Sequence, residues 1–494
     1  MNDTAPSPSP LEPDAATRAA WFAAATAFAE AHLADLPFSR AVALDPAATQ
    51  RLFAELPRGI PEAPRPLPDL LAEFARAAEL GLQPNGPGYL AYVPGGGLVA
   101  AAVASFLSLV VNRFVGMAQA SPGLARLEHD VVDFLAREAG YPATAAGILT
   151  SGGSLANLSA IIVARSERLG DSGDFRTAVV YLSSEAHRSV AKAARLAGLP
   201  PALVRQLPVD AELRLDPAAL VTQIAADRHA GLTPFLIVAS AGTTNTGAID
   251  PLHELANIAA AEGLWLHADA AYGGAFLLTP AGRHQLAGIA RADSITLDPH
   301  KGLFLPYGVG CLLVRDGAAL RRTHADDASY LQDLGFDSPI RSAADYGPEL
   351  SRNDRGLLAY WPLALHGAAA FRAALAEKLA LAQALYRDLA ALGVDLPFVP
   401  PLSIVAFRAP RAPGDFLATW NAKSRALLDA VHASGHVQLS STLLPSTEGP
   451  VFTLRACVLS FRTHAPPIAQ LVVDVRSALQ AGLRFFDENP AHTP

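Results

Sequence analysis

The sequence predicts an α/β protein in which a mostly parallel central sheet is flanked by helices. Between residues 98 and 370, short runs rich in β-branched residues alternate with alanine-rich helical patterns, as in a sheet with helical crossovers. The chain has 494 residues, of which 51% are hydrophobic, and is too long for one simple core. We therefore expect a helical N-terminal arm (1–97), a large domain (98–370) and a small α+β C-terminal domain (371–494).

The N-terminal arm is predicted to consist of helices without a catalytic role. Amphipathic patterns cover residues 15–33 and 68–80, and the linker between them becomes proline-rich at 57–68. The apolar run that follows, 97–111, contains serines and stops at Asn112. Because this run is too short to span a membrane, we expect a buried helix there.

The large domain contains the clearest strand patterns, each a short apolar run. A long helical pattern at 370–392 then leads into the C-terminal part, where residues 403–407 and 452–461 resemble strands. The predicted strands of the large domain are residues 178–182, 235–239, 264–268, 294–297 and 310–314.

Composition and charge exclude several classes of partner. The net charge is −8 and the 38 basic residues form no stripe, which argues against nucleic acid and against an anionic membrane. Cys311 and Cys457 are the only cysteines, too few for a disulfide framework. Residues 1–13 lack the order of a signal peptide. We therefore expect a cytoplasmic protein that acts on a small molecule.

Two charged residues at neighbouring strand ends carry the strongest chemical signal. Asp269 follows the strand at 264–268, and Lys301 ends the sequence Asp-Pro-His-Lys after the next strand. Parallel strands bind ligands at their carboxyl ends. Pyridoxal phosphate needs a lysine amine for its aldehyde and an anion beside its pyridine nitrogen. At about 4 Å, that anion is worth roughly 4 kcal/mol at an effective dielectric of about 20, which keeps the nitrogen protonated.

Each of these residues alone has a simpler explanation. A carboxylate such as Asp269 can cap a helix or loop, and a lysine such as Lys301 is more often solvated. Their pairing at successive strand ends favours the cofactor. His267 and Asp269 could be a metal pair, but no third ligand with clear spacing is present, so we predict no metal.

A glycine turn earlier in the chain is predicted to bind the cofactor phosphate. Residues 148–157 are typical of a strand, a turn and the start of a helix, which leaves backbone N–H groups and hydroxyls free for an anion. A plain turn with Ser154 as an N-cap is the competing interpretation. The residues assigned to the phosphate are Ser151, Gly152, Gly153 and Ser154.

Two further strand ends supply polar candidates. His187 follows a strand and opens a helix, so its imidazole could lie flat over a planar cofactor, although a surface histidine is the alternative. The loop after the strand at 235–239 contains Thr243 and Thr244, whose hydroxyls could contact the ring oxygen or the substrate. A simple polar turn is the competing interpretation of this loop.

Together these motifs resemble the group II pyridoxal-phosphate decarboxylases. That family contains aromatic-L-amino-acid, glutamate, histidine and 2,4-diaminobutyrate decarboxylases. The resemblance extends from about residue 88 to residue 463. Its five ordered motifs are Ser-Gly-Gly-Ser at 151–154, Ala-His at 186–187, Gly-Thr-Thr at 242–244, His-Ala-Asp-Ala-Ala-Tyr at 267–272 and Asp-Pro-His-Lys at 298–301.

The resemblance implies a fold-type I homodimer whose active sites lie at the subunit interface. In such an enzyme Lys301 would form the Schiff base with the cofactor, and Asp269 would contact the pyridine nitrogen. His187 would stack on the ring, Ala271 would pack beneath it, and His300 would help to hold the phosphate.

The resemblance also implies a substrate pocket. Residues 88–95 are similar to the family's substrate-pocket strand, which makes Tyr92, Val93 and Pro94 pocket candidates. Core packing explains Val93 equally well. Gly95 occupies a position that is polar in some aromatic-specific members, and this departure puts the size of the substrate in doubt.

A mobile catalytic loop is implied between residues 324 and 355. Its Tyr346 resembles the tyrosine that protonates the carbanion after carbon dioxide leaves, and an ordinary loop tyrosine is the alternative. Gly302 follows the lysine where several animal members carry tryptophan, a second departure that bears on substrate size.

The predicted reaction is the decarboxylation of an L-amino acid to its amine and carbon dioxide. The family favours an aromatic substrate, with 2,4-diaminobutyrate or glutamate behind it. The bond to the carboxylate would be held perpendicular to the ring, and Asp269 would lower the barrier electrostatically. Tyr346 or His187 would then return a proton to the α-carbon.

Other outcomes remain open from the sequence. The same cofactor serves oxygen-dependent aldehyde synthases, carbon–carbon lyases and aminotransferases, and an aminotransferase could bind the α-carboxylate through Arg455 or Arg462. A non-catalytic homologue is a further possibility, against which the intact Lys301, Asp269 and His187 argue.

Overall fold

The structure is a computed structural model that describes residues 11–43, 46–170, 175–326 and 340–487. Its N-terminal arm is helical, as predicted, with one additional helix inside the predicted linker. The arm also contains one antiparallel pair of very short strands. In chain order its elements are α1 (Ala15–Asp35), β1 (Val42–Ala43), α2 (Pro46–Glu55), α3 (Leu67–Glu79) and β2 (Gly81–Leu82).

The helix predicted at 97–111 forms, but the prediction that it is buried is wrong. Helix α4 (Val99–Val111) buries only Ala101 and Ala104. Leu109 is 64% exposed, and neighbouring valines are exposed to a similar degree. The chain therefore presents an apolar helix face that no other part of the described chain covers.

The large domain has the predicted α/β class. A seven-stranded sheet has the order β3-β9-β8-β7-β6-β4-β5. Its strands are parallel except for β9, which runs antiparallel to its neighbours β3 and β8. All five predicted strands form. The strands are β3 (Ala146–Thr150), β4 (Ala178–Ser183), β5 (Val204–Leu207), β6 (Thr233–Ser240), β7 (Trp265–Ala270), β8 (Ser294–Leu297) and β9 (Gly310–Val314).

Helices cover both faces of this sheet, so its central strands are buried on both sides and consist of nearly continuous apolar runs. One apolar cluster packs under α5, α8 and α9, and a second packs under α6, α7 and α12. The helices are α5 (Pro122–Glu138), α6 (Gly153–Leu169), α7 (Arg188–Leu196), α8 (Pro217–His229), α9 (Leu252–Glu262), α10 (Pro280–Gln285), α11 (Pro299–Gly302) and α12 (Ala318–His324).

The C-terminal part has its own antiparallel sheet of order β10-β12-β11. Helix α13 (Arg355–Ala391) leads into it and breaks at Gly367, whose φ of 72° is not helical. The helix predicted at 370–392 is therefore the second part of a longer element. The remaining elements are β10 (Ile404–Phe407), α14 (Leu417–Ser434), β11 (Ser440–Leu444), β12 (Val451–Cys457) and α15 (Ala465–Asp487).

Within the described ranges, no helix combines the length and the apolarity that crossing a membrane requires.

Candidate active site

A cavity of about 290 Å³ lies at the carboxyl ends of β4, β6, β7 and β8. It brings together all eleven residues that the sequence assigned to the cofactor. Seven further residues, for which the sequence predicted no individual role, also line it. The predicted residues are Ser151, Gly152, Gly153, Ser154, His187, Thr243, Thr244, Asp269, Ala271, His300 and Lys301; the other seven are Leu155, Asn157, Ser189, Ser240, Gly242, Tyr272 and Asp298.

The glycine turn forms one end of the cavity. Strand β3 ends at Thr150 and α6 begins at Gly153, so the first turn of a helix directs unpaired backbone N–H groups at this end. The N-cap of α6 is Gly152, and Ser154 lies inside the helix. The interpretation of Ser154 as an N-cap is therefore wrong, and its hydroxyl lines the cavity instead.

His300 lies beside this turn. Its Nδ1 is 2.7 Å from the carbonyl oxygen of Val309, so Nδ1 carries the proton and donates it. Its Nε2 lies 3.8 Å from Asp298 Oδ2. Burial is the main cause that lowers the pKa of His300, and the nearby Asp298 opposes that shift.

Lys301 lies in the short helix α11, directly after β8. Its Nζ is 2.9 Å from Oδ2 of Asp298, a carboxylate that is 5% exposed. The other oxygen of Asp298, Oδ1, is buried and has no hydrogen-bond donor among the described residues. Asp298 belongs to the Asp-Pro-His-Lys motif, but the sequence predicted no individual role for it. Its position three residues before Lys301, on one helical turn, is the sequence signal that indicates the contact.

Asp269 lies at the end of β7 and is buried. Its Oδ2 accepts a hydrogen bond of 2.9 Å from Nδ2 of Asn157, and its Oδ1 accepts one of 3.2 Å from the backbone N–H of Ala271. A carboxylate that is fixed by an amide and by the backbone has a defined direction. Asn157 was not identified from the sequence, because a polar residue one turn into a helix has no distinctive local pattern.

His187 is the N-cap of α7 and lines the cavity. Its Nδ1 is 2.7 Å from Oγ of Ser189 and accepts the backbone N–H of the same residue. Burial is the largest cause that lowers the pKa of His187, while Asp269 raises it. His187 is exposed in this single chain, as the surface-histidine alternative expects, and its side chain also lines the cavity.

The loop after β6 forms another wall. The hydroxyl of Thr243 is 2.9 Å from that of Thr246 and accepts the backbone N–H of Ala248, so it fixes the loop's own shape. Arg455 of β12 donates to the carbonyl oxygens of Thr244 and Asn245. These contacts hold the loop against the C-terminal sheet.

Each of the three guanidinium nitrogens of Arg455 thereby donates a hydrogen bond, because the third donates to Ser440 Oγ at 2.6 Å. Arg462 donates to the carbonyl oxygen of Asn85 and lies over the ring of Phe461. Neither arginine lines the cavity. The carboxylate-binding arginine expected of an aminotransferase is therefore not provided by these two residues.

Tyr92, Val93 and Pro94 do not line the cavity. The segment is not a strand: Tyr92 has a φ of 51°, and its N–H donates to Ser440 Oγ. Val93 packs against the main apolar cluster, which matches the core-packing alternative. The segment is nevertheless attached to the site, since the N–H of Gly96 donates to the carbonyl oxygen of His300 at 3.1 Å.

Tyr346 lies outside the cavity of its own chain. It borders a separate small cavity beside His129 and Ile148, and the guanidinium of Arg341 is 5.7 Å from its ring centre. Much of the predicted catalytic loop, residues 327–339, lies outside the described residues. The role of Tyr346 as a proton donor stays a prediction.

The two glycine departures are explained by packing. A Cβ on Gly302 would lie 2.2 Å from Cβ of Ala275, so this position faces the protein interior and does not face the cavity. A Cβ on Gly95 would lie 2.8 Å from the ring of Tyr307. Gly302 thus excludes a side chain, whereas a side chain at position 95 would require only that the exposed ring of Tyr307 move.

The residues present fit pyridoxal phosphate. A helix N-terminus at one end suits a phosphate, a lysine amine suits an aldehyde, and a fixed carboxylate suits a pyridine nitrogen. Among the residues that the structure describes, no three histidine, cysteine or acidic side chains could together hold a metal ion. A site with these chemical demands is typical of the pyridoxal-phosphate enzymes.

Comparison with known proteins gives the family. Residues 49–409 match the pyridoxal-dependent decarboxylase conserved domain, and the chain belongs to that family. It is similar to an aromatic-L-amino-acid decarboxylase of Bacillus atrophaeus, with 36% identity over 79% of this chain and 81% of the relative. It is also similar to tryptophan decarboxylase 1 of Oryza sativa subsp. japonica, with 30% identity over 75% of this chain and 76% of the relative.

The fold agrees with solved structures. The Oryza sativa tryptophan decarboxylase crystallised with pyridoxal phosphate and tryptamine superimposes with a TM-score of 0.88 and 25% identity, over 96% of this chain and 100% of that chain. The fold is therefore that of the fold-type I decarboxylases. The chain is a pyridoxal-phosphate-dependent amino acid decarboxylase, as the motifs predicted.

Proposed function

We propose that this enzyme decarboxylates an aromatic L-amino acid, releasing carbon dioxide and the corresponding amine. The observation that carries the proposal is the convergence of Lys301, Asp269 and the N-terminus of α6 on one cavity. The choice of an aromatic substrate is supported by relatives named for aromatic amino acids, tryptophan and tyrosine. A shorter match, 37% identical over 53% of this chain, is an L-2,4-diaminobutyrate decarboxylase of Rhizobium meliloti, which makes that amino acid the second candidate.

Each group of cavity residues has its own proposed role toward the cofactor. When bound, the cofactor withdraws the electrons of the broken bond into its ring. Lys301 provides the attachment point, and the turn at 151–154 with His300 holds the phosphate. Asp269 provides the anion that keeps the ring nitrogen protonated. Asp269 is buried, so its electrostatic contact with the ring would be stronger than in water.

Proton return to the α-carbon is assigned to a side chain at the cavity. His187 lines the cavity of its own chain, and its Nδ1 is already engaged with Ser189. Tyr346 lies elsewhere in the same chain, so its participation requires that it reach the cavity of a partner subunit. His187 and Ala271 remain the candidates for contacts with the two faces of the ring, and Thr243 and Thr244 remain candidates for contacts with the ring oxygen or the substrate.

We further propose a homodimer with active sites at the subunit interface. The support is the exposed apolar surface of α4, together with helix α1, none of whose residues is buried although it carries Trp21 and Phe22. A second copy of the chain would cover this surface. We also propose that the chain divides into three parts, with boundaries at residues 97 and 370. A cytoplasmic location is a further proposal, which the two free, buried cysteines Cys311 and Cys457 support.

One alternative outcome has specific support. A phenylacetaldehyde synthase of Petunia hybrida is 30% identical over 86% of this chain and 86% of the relative. An enzyme of that kind would use oxygen after decarboxylation and release an aldehyde, ammonia and hydrogen peroxide. An aminotransferase is disfavoured because the guanidinium of Arg455 is occupied.

The test is a substrate screen on the purified enzyme with added pyridoxal phosphate. Phenylalanine, tyrosine, tryptophan, 2,4-diaminobutyrate and glutamate are compared for carbon dioxide release, with peroxide and ammonia measured in the same wells. Carbon dioxide and amine from an aromatic substrate alone support the proposal. Equal amounts of peroxide and carbon dioxide would select the aldehyde synthase, and preference for 2,4-diaminobutyrate would overturn the aromatic assignment.

A further inference from the structure

A continuous chain of polar side chains lies between the central sheet and helix α6. Trp265, His267 and Asp269 alternate along β7 and therefore share one face of the sheet. They meet Ser294 of β8 and Asn157 of α6. All five residues are buried, so each polar atom needs a partner within the protein.

The direction of this chain is fixed at both ends. The indole N–H of Trp265 can only donate, and it donates to Ser294 Oγ at 2.9 Å. The Asp269 carboxylate can only accept, so the group of Asn157 that lies 2.9 Å from it is the amide nitrogen. The amide oxygen of Asn157 consequently faces Nε2 of His267 at 3.0 Å.

The tautomer of His267 follows from these contacts. Its Nε2 faces an oxygen that can only accept, so Nε2 carries the proton. Burial lowers the pKa of His267 to about 4, which leaves the ring neutral with one proton. Its Nδ1 is therefore bare and accepts the hydroxyl of Ser294 at 2.8 Å.

The chain branches at Asn157. The second N–H of its amide reaches Ser189 Oγ at 3.1 Å, and that oxygen is 2.7 Å from His187 Nδ1. The same Nδ1 accepts the backbone N–H of Ser189 at 3.3 Å. A ring nitrogen that accepts a backbone N–H cannot itself carry a proton. The proton of neutral His187 therefore lies on Nε2, a nitrogen that no described residue engages.

We propose that Asn157 is a positioning residue that aims the Asp269 carboxylate and, through Ser189, holds His187 as the tautomer with its proton on Nε2. One amide thus sets the direction of the anion and the proton-bearing atom of the cavity histidine. The use of that proton in the reaction rests on the proposed function. The two tautomers rest on the contacts alone.

Histidine-selective ¹⁵N NMR of the full-length holoenzyme tests the tautomers. Resonances are assigned with His187→Gln and His267→Gln. We expect a protonated Nε2 and a bare Nδ1 on both rings. A proton on Nδ1 of either ring in the unaltered enzyme would overturn the proposal, whatever the substrate proves to be.

Substitutions separate the branches. In Asn157→Leu, His267 Nε2 loses the amide oxygen and keeps only the hydroxyl of Thr296, at 3.4 Å, so its proton should move towards Nδ1, where Ser294 Oγ is 2.8 Å away. Ser189→Ala should change the resonances of His187 and leave those of His267 unaltered, and the matched Ser294→Ala should do the reverse. The idea fails if Asn157→Leu leaves the His267 resonances unchanged, or if the two serine variants affect both rings alike.

A binding measurement tests the aim of Asp269 without activity. The apparent affinity of the enzyme for pyridoxal phosphate is compared with that for the analogue in which carbon replaces the ring nitrogen. Loss of one hydrogen bond to a charged acceptor should reduce this preference about tenfold in Asn157→Leu. Ser189→Ala should retain it. An unchanged preference in Asn157→Leu would mean that the amide serves packing only.

Discussion

Opposed charges within the cavity define its chemistry at the scale of single residues. Lys301 contacts Asp298, whereas Asp269 is held by an amide and a backbone N–H and has no cationic partner among its hydrogen bonds. A carboxylate of this kind is free to pair with a cationic ring nitrogen. The site thus separates Lys301, the proposed attachment point of the cofactor, from Asp269, the anion proposed to pair with its ring nitrogen.

Replacing Lys301 with alanine should abolish turnover and leave the fold intact. The side chain is 21% exposed, but its partner Asp298 is buried, so the variant should melt at a lower temperature while it keeps the fold. Carbon dioxide release and a thermal melt measure the two effects. Lys423→Ala is the control, because Lys423 has the same exposure and pairs with Asp415, a partly buried carboxylate, and neither residue lines the cavity. Normal turnover in the Lys301 variant would contradict the assignment.

Asp250 stabilises the wall of the cavity from behind. Its buried carboxylate accepts the backbone N–H groups of Leu215 at 2.7 Å and Ser240 at 2.6 Å. Asp250→Asn should cost about 1–3 kcal/mol of unfolding free energy, because the amide NH₂ must face one of these two donors. Asp216→Asn is the control, since Asp216 is an N-cap and asparagine caps a helix equally well. Equal losses in both variants would contradict this account.

The same carboxylate predicts a dependence on pH. Burial raises the pKa of Asp250 to about 6, above its ordinary value of 3.8. The folded state therefore binds the proton more tightly, so this group stabilises the fold at low pH and loses that contribution as the pH rises from about 4 to about 6. Chemical denaturation of the unaltered enzyme and of Asp250→Asn across this range should show the slope in the first and not in the second.

At the scale of elements, side chains satisfy backbone hydrogen-bonding groups on the outer edge of β3, the last strand on its side of the sheet. The N–H of Leu149 donates to Glu128 Oε1, and its carbonyl oxygen accepts from Arg352 Nη2 at 2.7 Å. Arg352 also pairs with Glu128 at 2.9 Å, with only 1% of its side chain exposed. Strand β3 leads into the glycine turn at 151–154, so the ion pair supports the position of that turn.

Arg352→Met should therefore destabilise the fold by about 3–5 kcal/mol, because it leaves Glu128 as an unpaired buried charge. The affinity for pyridoxal phosphate should fall as well, since β3 ends in the turn at 151–154. Arg322→Met is the control: its pair with Glu167 is half exposed and worth less than about 1 kcal/mol. Denaturation curves and cofactor titration measure both quantities, and similar losses in the two variants would refute the role of this pair.

The elements also show how much of the fold could be predicted from the sequence. The strands at 178–182 and 294–297 were predictable because they are buried on both faces and apolar throughout. Strand β5, with the sequence Val-Arg-Gln-Leu, lies at an edge and is only partly buried, so its pattern is mixed. Asn157 joins the site only through a contact with Asp269 of a distant element, which no local pattern encodes, whereas the contact of Asp298 with Lys301 is local.

At the scale of the whole molecule, the exposed apolar face of α4 explains why burial was wrongly predicted. Its composition is that of a buried helix, and burial by a second copy of the chain would satisfy that composition. The same packing would complete the active site from two subunits. The oligomeric state and the activity are then linked.

Val110→Glu should convert the proposed dimer to a monomer and reduce turnover, because a charge would be placed in the proposed apolar interface. Val110 is 59% exposed in the single chain. Light scattering after size-exclusion chromatography measures the mass over a range of concentrations. Val221→Glu on α8, which is also exposed, should leave the mass unchanged. A dimer of unaltered affinity in the Val110 variant would place the interface elsewhere.

The contact between Arg455 and the loop after β6 has a consequence for recombination between relatives. Because Arg455 of β12 holds the loop that contains Thr244, the carboxy-terminal sheet supports the cavity wall. The acceptors are backbone carbonyl oxygens, so a chimera joined within α13 keeps this attachment when its carboxy-terminal part supplies an arginine at position 455. Grafting a relative's last third to alter substrate choice would thus need that arginine to be retained.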